Sequence, residues 1–254
     1  MPSTFWALAI AGALQAPPAP PAAPPAAPPQ SAAAAQAWPD DRPITGVLHN
    51  LGRDLKAVPS IETVWIMAAG TGAALAFHPY DDDLAEWAEE SRSSASQFGR
   101  ALGEAWMQLS LSAAAYGIGR LNHDAPLTHV GSDLIRAQIL NGVFTVPTKY
   151  IVNRERPNGG DHSFPSGHAS AMFTTAAVLQ EHGGWKFGVP TYALATFVAW
   201  TRVRDRSHWL SDAMFGAAIG SVAGRTVVRG HRDRQWTIMP IKTPGGAAVY
   251  FVKR

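Results

Sequence analysis

Apolar positions recur at helical spacing from Ile44 to about Val228, the pattern of successive amphipathic or buried helices. Ile44–Ala57 is amphipathic, Ile61–Phe77 is apolar almost throughout, and residues 82–94 are acidic and read as a solvated helix. Further helices are predicted over residues 103–118, 130–151, 166–182, 191–204 and 209–228, with Gly, Pro or Asn near the breaks. The period then changes. Residues 237–241 and 248–252 are β-prone runs around Thr243-Pro244-Gly245-Gly246, which predicts a small C-terminal β-hairpin. The fold class is therefore all-α, a helical bundle, with a β extension over residues 236–254.

The chain before the helices is of another kind. Residues 5–14 (FWALAIAGAL) form a short apolar run followed by small residues, as in the core and cleavage zone of a secretory signal, although Met1 to Thr4 carry no Lys or Arg. Residues 1–16 are read as a signal peptide, which places the mature protein outside the cytoplasm, in the periplasm. Residues 17–41 are a Pro/Ala-rich linker, with eight prolines between Pro17 and Pro29. Consecutive prolines favour an extended chain of about 3.1 Å per residue, so this tract is a spacer. The helical domain occupies residues 42–235. Its longest charge-free stretches, residues 63–77 and 187–201, fall short of the ~20 residues a membrane span needs. A water-soluble bundle or one attached at a membrane surface is expected, with integral attachment through short, tilted spans as the other arrangement.

Composition narrows the chemistry. Apolar residues are 46% of the 254 and charged residues 16%, enough to bury a core. A net charge of +2 gives no basis for nucleic-acid binding. The absence of cysteine excludes disulfide scaffolds, thiolate metal sites and cysteine nucleophiles. Catalysis would have to use His, Arg, Lys, Asp or Ser.

Three clusters of such residues follow one another. Lys149 and Arg156, the latter stopped by Pro157, suit the end of a helix running into a loop. Ser163-Phe164-Pro165-Ser166-Gly167-His168 precedes an apolar helical run, so the N–H groups of Ser166, Gly167 and His168 lie at a positive helix end with no side-chain bulk at Gly167, a cradle for an anion. Thr201-Arg202 leads to Ser207-His208-Trp209 and Asp212. His208 and Asp212 are one helical turn apart; Asp212 can accept from one imidazole nitrogen and leave the other nucleophilic. Taken singly, each cluster also has a structural use: a basic helix C-terminus, a well-capped helix, a helix-start His–Asp pair. Arg154, Arg204 and Arg206 read as rim or solvent charges, Asp161 and His162 as a loop pair, and Asp81-Asp82-Asp83 as a complement to a helix dipole. His78, His129 and His182 show no partner pattern.

Together and in this order, KX6RP, PSGH and RX5HX3D resemble the type 2 phosphatidic acid phosphatase superfamily, which also includes bacterial class A acid phosphatases and vanadium haloperoxidases. The resemblance covers residues 149–212 directly. Thr201 departs from the family's usual serine but keeps a hydroxyl. The resemblance implies a bundle of the acid phosphatase/vanadium haloperoxidase type and a phosphatase for phosphate monoesters, such as lipid phosphates, or for isoprenoid pyrophosphates. His208 would form a phosphohistidine, Asp212 would fix its tautomer, and a cationic His168 would protonate the leaving oxygen. Lys149, Arg156 and Arg202 would hold the phosphoryl oxygens, with the Ser166 hydroxyl and the Gly167 amide completing the cradle. No metal or cofactor is implied, although vanadate could occupy the same residues as a transition-state mimic. The partner is a phosphorylated lipid or small molecule; the sequence leaves its identity and the oligomeric state open. The other functions compatible with these residues are a vanadate-dependent haloperoxidase and a non-catalytic phosphate- or headgroup-binding domain.

Overall fold

The helical period resolves into nine α-helices among the described residues, which in this computed structural model are 43–88, 94–230, 236–243 and 246–253. They are α1 (Ile44–Ala57), α2 (Ile61–Phe77), α3 (Asp81–Trp87), α4 (Ser94–Gly103), α5 (Ala105–Leu121), α6 (Ala125–Val152), α7 (Gly167–Gly183), α8 (Trp185–Arg204) and α9 (Leu210–Arg229). A 3₁₀ turn, His78–Tyr80, joins α2 to α3. Strands β1 (Trp236–Thr243) and β2 (Gly246–Lys253) pair antiparallel, with Trp236 opposite Lys253 and Thr243 opposite Gly246. The signal-like segment and the Pro/Ala-rich linker lie outside the described residues.

Local chemistry sets the helix starts. Ser60 accepts from the Thr63 N–H at 3.1 Å and Asp124 from the Leu127 N–H at 3.0 Å, each satisfying a first-turn donor. Pro126 in the first turn of α6 starts that helix before residue 130, the predicted start. Helix α8 likewise begins at Trp185 and carries Pro190 inside it. A proline this close to a helix start forfeits one ladder bond without ending the helix, so Pro190 was not the break the sequence suggested. The acidic helix expected over residues 82–94 is shorter: α3 ends at Trp87, Ala88 is extended with ψ 105°, and residues 89–93 are outside the described set. Helix α4 was not anticipated at all.

Helix α7 is the centre, packed against α6, α8 and α9. Its closest approach is to α9, along a glycine stripe at four-residue spacing on one helical face. A Cβ on Gly216 would sit 2.6 Å from the Ser166 carbonyl, and one on Gly220 2.1 Å from the Ser170 carbonyl. Carbon at those positions is sterically excluded, so the two backbones touch, and the start of α7 is held against the start of α9. Around this seam Leu134, Ala137, Leu140, Val178, Ala223 and Val227 form the main apolar cluster. Met172, Ala176, Ala195 and Val198 form a second between α7 and α8. Away from both, Arg136 is fully buried between Asp133 and Asp54, reaching the latter at 2.5 Å, and His182 meets Asp133 at 2.9 Å. His182 thus has a partner that spacing did not reveal, and the cluster ties α1 to α6 and α7.

Candidate active site

Four chain segments converge where α6 and α8 end and α7 and α9 begin. Lys149 occupies the last turn of α6, which Asn153 closes in the left-handed region at φ 44°. Residues 153–166 form an ordered loop: the Arg156 N–H donates to the Gly160 carbonyl at 2.7 Å and the Ser163 N–H to the Arg154 carbonyl at 2.7 Å. Lys149 Nζ donates to the carbonyls of His162 (3.0 Å) and Pro165 (2.7 Å), and Arg156 Nε to that of Asp161 (2.9 Å). The two cations brace the loop that delivers Ser166 and His168.

Helix α7 starts as the sequence suggested, with one correction. Ser166 is fully buried, and its hydroxyl caps the helix by accepting from the Ala169 N–H at 3.4 Å. Its own N–H donates to the Asp212 carbonyl at 3.1 Å, so it does not join the anion cradle. The ladder begins with Ser170 donating to the Ser166 carbonyl at 3.0 Å, which leaves the N–H groups of Gly167 and His168 at the helix start. A Cβ on Gly167 would meet only Lys149 Cε, at 3.6 Å, so the lysine stem lies along this cradle.

His208 is held on the opposite side. The Arg202 carbonyl, ending α8, accepts the N–H groups of both Ser207 (3.0 Å) and His208 (3.2 Å). The imidazole is 3% exposed. Its Nδ1 lies 2.7 Å from the Ser163 carbonyl and 3.8 Å from Asp212 Oδ2. A carbonyl can only accept, so Nδ1 carries the proton and Nε2 is left with a lone pair. The tautomer is therefore set by the Ser163 carbonyl, and the expected direct bond from His208 to Asp212 is replaced by a charge at longer range. Asp212 is occupied elsewhere. Its carboxylate accepts from Arg154 Nη1 (2.7 Å), the Trp209 N–H (3.0 Å) and the Ser163 hydroxyl. Burial opposes its ionisation, but the adjacent His208, these hydrogen bonds and the Arg154 charge keep the carboxyl below its ordinary range.

The charges lie close enough to act on one another. Burial first, and Arg156 next, lower Lys149 to about 8. Burial lowers His208 as well, with Lys149 and Arg156 adding to it and Asp212 opposing. His168 is driven down to about 3 by burial, then by Arg202, His208, Arg100 and Lys149. Burial, with the neighbouring cations, thus disfavours the charged form of both imidazoles, whereas a cationic His168 was expected. Glu104 Oε1, 3.5 Å from His168 Nε2, is the facing carboxylate, but it is 39% exposed and screened. Arg202 is buried and pairs with Asp205 and the Ser96 carbonyl (3.2 Å). Two buried atoms of this pocket, His168 Nε2 and Arg202 Nε, have no hydrogen-bond partner among the described residues. Buried polar atoms are ordinarily satisfied, and these two stand unpaired at the site.

The structure brings Lys149, Arg156, Ser166, Gly167, His168, Arg202, His208 and Asp212 together. It also adds residues that sequence reasoning missed. Arg154 is no rim charge: it grips Asp212. Asp81 is 3% exposed and accepts from the Ser211 N–H at 3.1 Å, so it does more than complement a helix dipole. His78 Nδ1 lies 3.1 Å from Asp81. Arg100 and Glu104 enter from α4 and the start of α5. Only the position of Arg154 inside KX6RP could have signalled its role.

Residues 131–236 match the model of the PAP2 superfamily. Over that stretch the chain is similar to the PAP2 superfamily. Over 98 residues, 37% of this chain and 22% of the relative, it is 34% identical to lipid A 1-phosphatase of Porphyromonas gingivalis. Over 110 residues it is 30% identical to the chloroplastic lipid phosphate phosphatase epsilon 2 of Arabidopsis thaliana, covering 38% of each protein. The chain thus spans well under half the length of these curated relatives. Among solved structures it resembles the crystal structure of a transmembrane PAP2-type phosphatidylglycerolphosphate phosphatase from Bacillus subtilis, with a TM-score of 0.53 over 69% of this chain and all of that one, at 19% identity. That likeness shows the PAP2 helical fold. The PAP2 match spans the three motif clusters from Lys149 to Asp212 and the glycine stripe of α9.

Proposed function

We propose that this PAP2 domain is a phosphoric monoester hydrolase that acts on phosphorylated lipids through a phosphohistidine, without a metal ion. The observation that carries the proposal is the convergence of two imidazoles, the buried His208 with its tautomer fixed and the half-buried His168, on a site ringed by Lys149, Arg156 and Arg202. His208 Nε2 attacks phosphorus; the P–N bond forms as the P–O bond to the leaving group breaks. His168 gives its proton to the departing oxygen and becomes the base for the second step. It then takes a proton from water, whose oxygen attacks phosphorus, and the P–N bond breaks to release phosphate and restore neutral His208. Lys149, Arg156 and Arg202, with the Gly167 N–H and the Ser166 hydroxyl, offset the charge on the equatorial oxygens.

His168 must gain a proton for this cycle. A phosphate dianion among the cations supplies charge of the sign needed to raise its pKa. Substrate therefore activates its own general acid.

A lipid substrate is supported by the names of the two curated relatives and by the outer surface. Trp65, Trp87, Trp106 and Trp185 are each more than 60% exposed, and aromatic rings of this kind favour the membrane–water interface. No single helix among the described residues is long and apolar enough to cross a membrane. We assign the domain to a membrane surface outside the cytoplasm, in line with the signal-like N-terminus.

The test is phosphate release from a panel of lipid phosphates, isoprenoid pyrophosphates and water-soluble esters, with and without vesicles. Turnover by wild type, abolished in His208→Ala and trapped as acid-labile phosphoenzyme on rapid quenching, is expected. Bromide oxidation with vanadate and peroxide in place of phosphate release would establish the haloperoxidase. Phosphate binding without turnover would establish a binding domain. Recovery of the mature protein wholly in the soluble fraction would refute membrane attachment.

A further inference from the structure

Both groups that face His208 Nδ1, the Ser163 carbonyl and Asp212, belong to residues held by Arg154. The Ser163 carbonyl receives His208 Nδ1, and the Ser163 N–H donates to the Arg154 carbonyl. Asp212, which supplies the negative charge beside the imidazole, receives Arg154 Nη1 at 2.7 Å. Trp209, the next residue in the chain, lies under the guanidinium, whose carbon is 5.1 Å from the ring centroid. Arg154 Nη1 also reaches the Ser211 hydroxyl at 2.7 Å. One side chain and its own backbone therefore brace both groups that face Nδ1.

Arg154 in turn is held from a distant part of the chain. Its Nη2 donates to Asp81 Oδ2 at 2.9 Å and lies 3.2 Å from His78 Nδ1. Asp81 is buried and takes both the N–H and the hydroxyl of Ser211. The guanidinium is thus a planar bridge between two carboxylates, a geometry that lysine cannot reproduce.

We propose that Arg154, anchored by Asp81, is a positioning residue for His208. It holds Asp212 and Ser163 where they keep Nδ1 protonated and turn Nε2 toward the phosphoryl group. Without Arg154, Asp212 Oδ1 loses its partner, and the carboxylate is free to close the 3.8 Å to Nδ1 and rotate the ring. Asp81 acts through Arg154 and through Ser211, which Arg154 Nη1 also grips, so the three residues form one unit.

The proposal rests on the phosphatase reading, and the experiment separates the two. Kinetics with p-nitrophenyl phosphate are measured for wild type, His208→Ala, Arg154→Gln, Asp81→Asn and the double variant Asp81→Asn/Arg154→Gln. Should His208→Ala keep wild-type turnover, the phosphatase reading fails whatever Arg154 does. With that reading intact, Arg154→Gln should lower kcat by about 10²-fold, the effect of a misplacement near 1 Å, while KM stays within about twofold. Asp81→Asn should give a smaller loss of the same kind, and the double variant should be no slower than Arg154→Gln. Wild-type kcat in Arg154→Gln, a rise confined to KM, or losses that multiply would each overturn the proposal. If Arg154→Gln does not accumulate as folded protein, Asp81→Asn and Ser211→Ala carry the test. Both must lower kcat at constant KM, and unchanged kcat in the two overturns it.

Discussion

Gly103, the last residue of α4, tests the geometry around His168 with a single methyl group. A Cβ there would lie 2.6 Å from His168 Cδ2, 2.8 Å from its Cβ and 3.0 Å from its Cγ. Non-bonded carbons settle at about 3.5–4.0 Å, so Gly103→Ala requires about 1 Å of relief. The corner between α4 and α5 is poorly placed to supply it. Gln108 Nε2 donates to the Leu102 carbonyl at 2.6 Å, and Gln108 Oε1 accepts from the Thr175 hydroxyl at 2.5 Å, which pins the corner to α7. Helix α7 is itself pinned against Gly216 and Gly220 of α9. The imidazole must therefore swing, and a shift near 1 Å costs about 10²-fold in rate. Overpacking strain of about 1–3 kcal/mol should lower the melting temperature by several degrees without unfolding the domain. The assay is kcat on an alkyl phosphate and on p-nitrophenyl phosphate, with Gly117→Ala in α5 as the control, since nothing lies within 4 Å of that position. Loss should fall mainly on the alkyl ester, whose leaving oxygen needs the His168 proton. Unchanged alkyl turnover, with only the melting point reduced, would show that the corner yields. Equal losses on both esters would refute His168 as the general acid.

Three further outcomes are expected. Because burial and neighbouring cations hold His168 at about 3, binding of vanadate at neutral pH should draw in a proton, which calorimetry in buffers of different ionisation enthalpy measures; His168→Gln should abolish most of that uptake, and equal uptake in both proteins would contradict it. Lys149, lowered to about 8, loses its charge as pH rises through that value, so KM should climb above it, and Lys149→Arg should remove the climb. Burial raises Asp54 to about 6 from 3.8; a raised carboxyl contributes stability that is complete below the unfolded pKa and lost as pH rises through the folded one. The melting temperature of wild type should therefore fall relative to Asp54→Asn across that window, and a constant difference between the two would refute the assignment.

The groups expected at the pocket were legible because each cluster is local: KX6RP, PSGH and HX3D place their side chains within a few residues, where helix ends dictate direction. What stayed hidden is the part made by long-range contact. Ser94–Gly103 is short and rich in Ser and Gly, with Phe98, Ala101 and Leu102 too few to mark a helical period; Gly99 lets it close on Thr201, whose hydroxyl would lie 2.4 Å from a Cβ there. Asp81 has the same local appearance whether it complements a dipole or crosses to Ser211, 130 residues away. Pro190 likewise looks like a break until the turn before it is seen to be helical. Periodicity reports the faces of one helix, and these residues act on the faces of another.

Two demands on the pocket oppose each other, and the placement of its charges shows how they are reconciled under the proposed mechanism. Binding a dianion calls for several cations, while a general acid calls for an imidazolium, which those cations disfavour. Among the described residues, the carboxylate that faces His168 is Glu104 at 3.5 Å, and its exposure weakens it. Burial and the neighbouring cations therefore disfavour a charged His168, and under the proposed mechanism the phosphoryl group's own charge brings the proton. His208 escapes this dependence because the Ser163 carbonyl, an uncharged acceptor at 2.7 Å, fixes its tautomer whatever the occupant of the pocket. Nucleophile and acid are thus set by different means: one by the backbone, permanently, and the other by substrate charge, only while it is bound. An acid armed in this way is protonated when a P–O bond is present to break and neutral when water must be activated.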